Sequence, residues 1–153
     1  MASDLRFRNI DASPDDPVET WPFEGVLAAL ERGTLPDWRR LIHSIDADPW
    51  GVVAREVEEA LLLELPYGVA PLFHEAIREA RARAAESEEQ AVAAEVRDLV
   101  TQSGLSLGEL AARIGTSASR LSTYRSGKVV PSAALMVRMR NVVQRTKAEN
   151  RPQ

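Results

Sequence analysis

The sequence predicts an all-α protein in which an acidic N-terminal helical domain is joined by a long helix to a small basic C-terminal helical bundle. Apolar residues recur at three- and four-residue spacings along most of the chain, which is the period of an amphipathic helix. From residue 69 to residue 104 the chain is rich in Ala, Glu and Arg, which are strong helix formers. Only residues 5–10 (LRFRNI) have a strand-like composition, and no hairpin turn signal follows them.

Proline and glycine divide the first half of the chain into short helices. A first helix is expected to end near Gly33, with Thr20 or Asp16 as its N-cap. The second helix should contain Pro36 in its first turn, where a missing N–H costs nothing. Its apolar face is expected to consist of Trp38, Leu41, Ile42 and Ile45.

The third helix is expected to have Asp48 as its N-cap and Pro49 at its first position. A mostly apolar stripe then runs from Trp50 to Glu64, and the proline and glycine of the following Pro-Tyr-Gly sequence end the helix. We expect the three tryptophans to anchor the core of this half. Beyond it, one long helix, or two helices that meet near Ser87, joins the halves without a flexible linker.

The formal net charge of −4 conceals two halves of opposite sign. Residues 1–89 contain 9 Lys and Arg and 19 Asp and Glu, a net charge of −10, whereas residues 90–153 contain 10 and 4, a net charge of +6. We therefore predict an acidic interaction domain over 1–89 and a second domain over 90–153. The basic domain is suited to binding a polyanion. The acidic domain is suited either to binding a basic protein or simply to contact with solvent.

The composition argues against an enzyme, a metal site and a cofactor. The chain has no cysteine, which also suits a reducing cytoplasm, and its two histidines, His43 and His74, lie far apart. It has neither a glycine-rich phosphate loop nor a nucleophile beside a His/Asp pair. The N-terminus is charged, and no stretch approaches the ~18 apolar residues of a membrane span, so we expect neither export nor a membrane partner.

Residues 106–126 meet the physical requirements of two helices joined by a tight turn. Ser106 followed by Glu109 is a capping box, and Gly115 stands where such a turn requires a positive φ. Ser117 can cap the second helix, whose short polar side chains point mainly outward. The inward positions of the two helices are Leu107, Leu110, Ala111, Ile114, Leu121 and Tyr124.

Helices on both sides complete this bundle. The preceding helix presents Val96, Leu99 and Val100 and ends at Ser103-Gly104. The second helix of the motif ends at Ser126-Gly127, and Ser132 caps a last helix after Pro131. The inward residues of that last helix are Leu135, Met139 and Val142 or Val143.

Residues 91–145 resemble the DNA-binding domain of the XRE family, the lambda-repressor-like and 434-repressor-like helix-turn-helix proteins. Two departures distinguish this chain: Leu107 replaces a frequent Gln, and Arg125 replaces a frequent Glu. The residues that carry the resemblance are Leu110, Ala111, Ile114, Gly115, Leu121, Tyr124, Gly127 and Pro131.

The resemblance implies how the second helix of the motif would contact double-stranded DNA. The positions facing the major groove would be Ala118, Ser119, Arg120 and Thr123, and those near phosphates would be Ser117, Ser126 and Lys128. Arg125 would add a positive charge near the DNA backbone. An α-helix fits the major groove, and the fork of Arg120 matches guanine O6 and N7, so Arg120 is the best candidate for reading a base.

The function predicted from this resemblance is a sequence-specific transcriptional regulator, acting as a homodimer. We predict that this regulator is an antitoxin, which represses its own operon and neutralises a toxin through residues 1–89, because the tryptophan-bearing segments of that half resemble extensions of antitoxin-type regulators. The alternative is a stand-alone or phage-type repressor without a toxin. In a third interpretation the bundle binds a protein, and the Ser and Thr hydroxyls of the motif serve only as helix caps and solvated turn residues.

Overall fold

The computed structural model describes residues 4–152, and the regular secondary structure in this part of the chain is entirely helical, with no strand. The predicted all-α class is therefore confirmed, and residues 5–10 do not form a strand. A 3₁₀ helix covers Val18–Thr20. The α-helices are α1 (Phe23–Arg32), α2 (Leu35–Ala47), α3 (Val52–Ala60), α4 (Val69–Ser103), α5 (Leu107–Ile114), α6 (Ala118–Ser126) and α7 (Ala133–Glu149).

The chain divides into an N-terminal unit and a C-terminal unit, with the boundary between Ala84 and Ala85. Each unit has its own apolar core. In the N-terminal unit, α1 packs on α3, and α2 packs on both. The fully buried side chains at the centre of this core include Leu30, Leu41, Ile45, Val57 and Phe73.

The predicted N-caps of α1, Thr20 and Asp16, are wrong, whereas its predicted end near Gly33 and the predicted start of α2 are confirmed. Pro22 occupies the N-cap of α1, and the Thr20 hydroxyl instead donates to the Pro17 carbonyl at 2.7 Å. Pro36 lies in the first turn of α2 as expected. The buried Asp37 carboxylate accepts the N–H of the N-cap residue Thr34 at 2.9 Å, which satisfies a donor that would otherwise lack a partner.

Both the predicted start and the predicted end of α3 are wrong. Asp48 is the C-cap of α2, and α3 begins only after Gly51, whose N–H donates to the Asp48 carbonyl at 3.0 Å. The helix ends at Ala60, and the chain then tightens into a turn in which the N–H groups of Leu62 and Leu63 donate to carbonyls three residues back, at 3.2 and 3.0 Å. Pro66 further disfavours helical backbone at the residue before it.

The three tryptophans have different environments, so the expectation that all of them anchor the core holds only in part. Trp21 is buried and meets Phe7 edge to face at a centroid distance of 5.1 Å. Trp38 is partly buried, and its indole N–H donates to the Ala29 carbonyl at 2.9 Å. Trp50 is half exposed, with the Arg81 guanidinium 5.9 Å from its ring centroid.

The segment after the Pro-Tyr-Gly break is one helix, not two that meet near Ser87. α4 runs without interruption for 35 residues, because no proline or glycine follows Pro71 until Gly104. Its first part contributes to the core of the N-terminal unit through Phe73 and Ile77. Its last part contributes Val96 and Leu99 to the core of the C-terminal unit.

The C-terminal unit contains the last part of α4 together with α5, α6 and α7. α5 packs against both α6 and α7. The inward residues predicted from spacing are confirmed: they are buried, except Val100 and Leu107, which are partly buried against the same core. The core of this unit comprises Val96, Leu99, Leu110, Ala111, Ile114, Leu121, Tyr124, Leu135, Met136, Met139, Val142 and Val143.

Candidate nucleic-acid interface

α5 begins at a capping box and ends at a left-handed glycine that starts the turn to α6. The Ser106 hydroxyl accepts the N–H of Glu109 at 3.2 Å, and the Glu109 carboxylate accepts the N–H of Ser106 at 2.9 Å. That backbone donor lowers the pKa of the Glu109 carboxyl. At the other end of α5, Gly115 has φ +76°, as its place in the turn predicts. Both local predictions are confirmed.

α6 is held in place by two inward residues. Leu121 and Tyr124 are buried in the core of the C-terminal unit, and the Ser117 hydroxyl caps the helix by accepting the N–H of Arg120 at 3.2 Å. These contacts fix the rotation of α6 about its axis. The first turn of the helix is therefore turned toward solvent, and Ala118, Ser119 and Arg120 are all exposed.

The segment that follows α6 is folded back onto the helix. Gly127 has φ +80°, and the N–H groups of Lys128 and Val129 both donate to the Thr123 carbonyl, at 3.1 and 3.3 Å. The Ser126 hydroxyl donates to the same carbonyl at 3.1 Å. The Thr123 hydroxyl donates to the Arg120 carbonyl at 2.6 Å. These two hydroxyls thus give their protons to the helix backbone.

The stretch of sequence that contains most of α5, all of α6 and most of α7 carries charged side chains of one sign. Residues 110–148 contain eight Lys and Arg residues and no Asp or Glu. Several of these cations have partners: Arg138 donates to the Ile114 carbonyl at 2.9 Å, Arg140 pairs with Glu95 at 2.7 Å, and Lys147 donates to Gln102 at 2.7 Å. The Arg140 guanidinium holds the pKa of the Glu95 carboxyl below its usual range.

Unlike these paired residues, the cations on α6 and directly after it have no partner in the described part of the chain. Within residues 4–152, the side chains of Arg120, Arg125 and Lys128 form no hydrogen bond or ion pair, and all three are exposed. A helix with an exposed first turn, unpaired cations and short hydroxyl side chains can approach a phosphate backbone closely.

Comparison with known families gives one match. A family model described as a helix-turn-helix domain matches residues 76–152, which is half of the chain. The chain belongs to the helix-turn-helix domain family. Membership supports a DNA-binding regulator. No curated protein and no solved structure matches the chain.

The helix-turn-helix unit brings the eight sequence-predicted site residues onto one continuous segment. Ser117, Ala118, Ser119 and Arg120 form the start of α6, whereas Thr123 is partly buried in its middle. Arg125 and Ser126 are exposed at its C-terminal end, and Lys128 follows Gly127. How these residues contact DNA stays a prediction.

Two arginines outside this segment support the helix-turn-helix and were not predicted as site residues. Arg97 of α4 donates to the Arg125 carbonyl at 3.0 Å, and Arg138 of α7 donates to the carbonyl that precedes Gly115. Both bonds join residues that are more than 20 positions apart in sequence. No local sequence pattern signals such contacts, which arise only when the bundle is assembled.

Two further searches cover the part of the chain that the structure describes. None of its helices combines the length and the apolar content that crossing a bilayer requires. No group of three or more His, Asp and Glu side chains in residues 4–152 is arranged to hold a metal ion.

Proposed function

We propose that this protein is an XRE-type transcriptional repressor that reads DNA by inserting the first turn of α6 into the major groove. The observation that carries the proposal is the exposed first turn of α6 together with its unpaired Arg120. The major groove of B-DNA is wide enough for one α-helix, and residues at the N-terminal end of a recognition helix reach the base edges.

In this arrangement Arg120 recognises a guanine through its two-pronged guanidinium. Ala118 and Ser119 lie beside it on the same exposed turn, where small side chains allow the helix to sit deep. Thr123 faces the groove one turn later. Ser117, Ser126 and Lys128 lie at the edges of this surface and approach the phosphates, with Arg125 adding positive charge near the backbone.

We further propose that the repressor acts as a homodimer on a two-fold symmetric operator near its own promoter. One recognition helix of nine residues reads only a short half-site. Two copies that bind half-sites about one helical turn apart, ~34 Å, double the number of bases read. The dimer thereby gains specificity that a single unit lacks.

Substitution of Arg120 by alanine tests the base-reading role. We expect Arg120→Ala to weaken binding to the upstream intergenic DNA by about 1 to 3 kcal/mol while leaving binding to unrelated DNA nearly unchanged. Lys128→Ala should instead weaken binding to all sequences and reduce the slope of log K against log salt by about 1. Footprinting and gel shifts over a range of salt concentrations measure both effects.

Arg113→Ala is the matched control for this experiment. Arg113 is also an exposed arginine of the C-terminal unit, but it belongs to α5 and lines a concavity with Val142 and Glu149 of α7. Its replacement should preserve specific binding. If Arg120→Ala binds the operator as tightly as the Arg113 variant does, α6 is not the reading helix.

A second candidate function, that of an antitoxin, is favoured by the surface of the N-terminal unit. The connection between α3 and α4 leaves large apolar side chains in solvent, with Leu62 85% exposed and Tyr67 fully exposed. Leu63 and Leu72 extend this apolar surface. Residues 1–89 carry a net charge of −10. Exposed apolar groups on an acidic unit suit a partner with a basic, partly apolar surface, such as the phosphate-binding site of a nuclease toxin.

Co-expression with the neighbouring open reading frame tests this role. If that gene encodes a toxin, the wild-type chain should restore growth, and Leu62→Ser combined with Tyr67→Ser should lower the affinity for the toxin at least about 10-fold, since buried interface side chains contribute more than ~1 kcal/mol each. Leu35→Ser, at an exposed leucine at the start of α2, is the control and should restore growth. A neighbour that is harmless when expressed alone would favour a stand-alone repressor.

A further inference from the structure

A concavity in the C-terminal unit lies between the last part of α4 and the C-terminal half of α6. Its volume is about 520 Å³, and it opens to solvent. Two of the side chains around it are arginines and three carry hydroxyls. The lining residues are Arg97, Val100, Thr101, Ser122, Arg125 and Ser126.

Arg97 is anchored at this concavity by its bond to the backbone of α6. Its Nη1 donates to the Arg125 carbonyl at 3.0 Å, at the end of the helix where the dipole is negative and favours a cation. A guanidinium has five N–H donors, so a single bond leaves most of the fork free. Arg97 is thus held in position while keeping donors for another acceptor.

Arg125 brings a second guanidinium to the same concavity. In the described part of the chain its side chain forms no hydrogen bond or ion pair, and no carboxylate lines the concavity. Asp98 follows Arg97 in sequence but is not among the lining residues, and Glu95 is paired with Arg140. Two cations therefore share one concave surface without a neutralising acid.

Ser122 supplies a neutral donor to the same concavity. It is partly buried on α6, and within residues 4–152 its hydroxyl forms no hydrogen bond. The hydroxyls of Thr101 and Ser126 already donate to the carbonyls of Arg97 and Thr123, at 3.1 Å each. Ser122 is accordingly the lining hydroxyl whose proton is available to a ligand.

We propose that this concavity is a phosphate-binding site formed by Arg97, Arg125 and Ser122. Guanidinium groups bind the oxygens of a phosphate through paired charge-assisted hydrogen bonds, and the bound anion offsets the repulsion between two neighbouring cations. The phosphate belongs either to the DNA backbone beside α6 or to a free phosphorylated small molecule. The binding of phosphate itself does not depend on the repressor function proposed above.

Titration of the full-length protein with inorganic phosphate tests the site. Backbone amide NMR signals of Ser122, Arg125 and Ser126 should shift and saturate with phosphate, whereas sodium chloride at equal ionic strength should not produce a saturating shift. Arg97→Gln and Arg125→Gln should each weaken the binding of phosphate at least about 10-fold, as expected for loss of one charge-assisted contact. Arg113→Gln, at an exposed arginine outside the concavity, should leave it unchanged.

The charge-reversal variant Arg125→Glu distinguishes loss of the site from loss of the fold. In Arg125→Glu the new carboxylate lies next to Arg97 and can pair with it, so the unit should keep its amide dispersion and lose the binding of phosphate. The proposal would be overturned if the amide shifts of the wild-type protein never saturate with phosphate. It would also be overturned if sodium chloride produces the same shifts as phosphate, or if phosphate produces the same shifts in Arg125→Glu as in the wild type.

The source of the phosphate is identified by the salt dependence of DNA binding. If a DNA phosphate occupies the site, Arg125→Gln lowers the slope of log K against log salt by about 1. An unchanged slope, with phosphate binding lost in the same variant, supports a free phosphorylated ligand. Absence of operator binding in the wild-type chain would contradict the repressor function, and the phosphate titration would still decide the site.

Discussion

Replacement of Phe73 by alanine is expected to lower the free energy of unfolding of the N-terminal unit by about 3 to 5 kcal/mol. Phe73 is fully buried and meets the Trp38 ring edge to face, with 6.4 Å between the centroids and an interplanar angle of 84°. Truncation removes the buried ring, leaves a cavity and breaks the aromatic contact. The expected loss is a large fraction of the free energy of unfolding of a small unit.

Urea denaturation followed by tryptophan fluorescence measures this effect. All three tryptophans belong to the N-terminal unit, so the signal reports on that unit. His74→Ala, one position further along α4 at an exposed side chain, is the control and should change the free energy by less than about 0.5 kcal/mol. If Phe73→Ala is unfolded, Phe73→Leu should show an intermediate loss. Variants of Phe73 as stable as His74→Ala would contradict the proposed core.

The features predicted correctly from the sequence depend on residues within a few positions of one another. Ser106, Ser117 and Ser132 cap α5, α6 and α7, each by accepting an N–H three residues ahead. Gly115 and Gly127 adopt the positive φ values that tight helix ends require. Such contacts are decided by local chemistry, which a single sequence displays directly.

The helix ends that were predicted wrongly lie where two local signals compete. Asp48 followed by Pro49 is typical of a helix start, yet Asp48 ends α2 and its carbonyl accepts the N–H of Gly51. Asp48, which was predicted to be the N-cap of α3, is thus the C-cap of α2. Similarly, the leucines after Ala60 continue the apolar period, but they form a turn and leave Leu62 in solvent. In both places a turn with backbone hydrogen bonds to carbonyls three residues back replaces the predicted helix.

The contacts that position the candidate site could not be predicted from spacing. Arg97 reaches the Arg125 carbonyl, and Arg138 reaches the Ile114 carbonyl, across 28 and 24 residues respectively. An arginine on an exposed helix face has many acceptors within reach of its long side chain, so its partner is fixed only by the assembled fold. The sequence could therefore indicate α6 as the candidate recognition helix but not the concavity beside it.

The second large effect is expected at Leu121, the buried residue that holds α6 in place. Leu121→Ala should lower the free energy of unfolding of the C-terminal unit by about 2 to 5 kcal/mol, because Leu121 is fully buried in the core of that unit and its truncation leaves a cavity there. Arg120 precedes Leu121 on the same helix, so the rotation of α6 that exposes Arg120 depends on this contact. Specific DNA binding should weaken together with stability.

Amide hydrogen exchange of α6 and α7 measures this loss, since the tryptophans do not report on the C-terminal unit. Val137→Ala is the matched control: it also truncates an aliphatic residue of this unit, but one that is half exposed, and it should cost less than about 1 kcal/mol. Protection of the α6 amides equal in the two variants would show that Leu121 does not anchor the helix. Because Arg120→Ala changes an exposed side chain, it should weaken operator binding without changing exchange, which separates the role of reading DNA from the role of holding the reading helix.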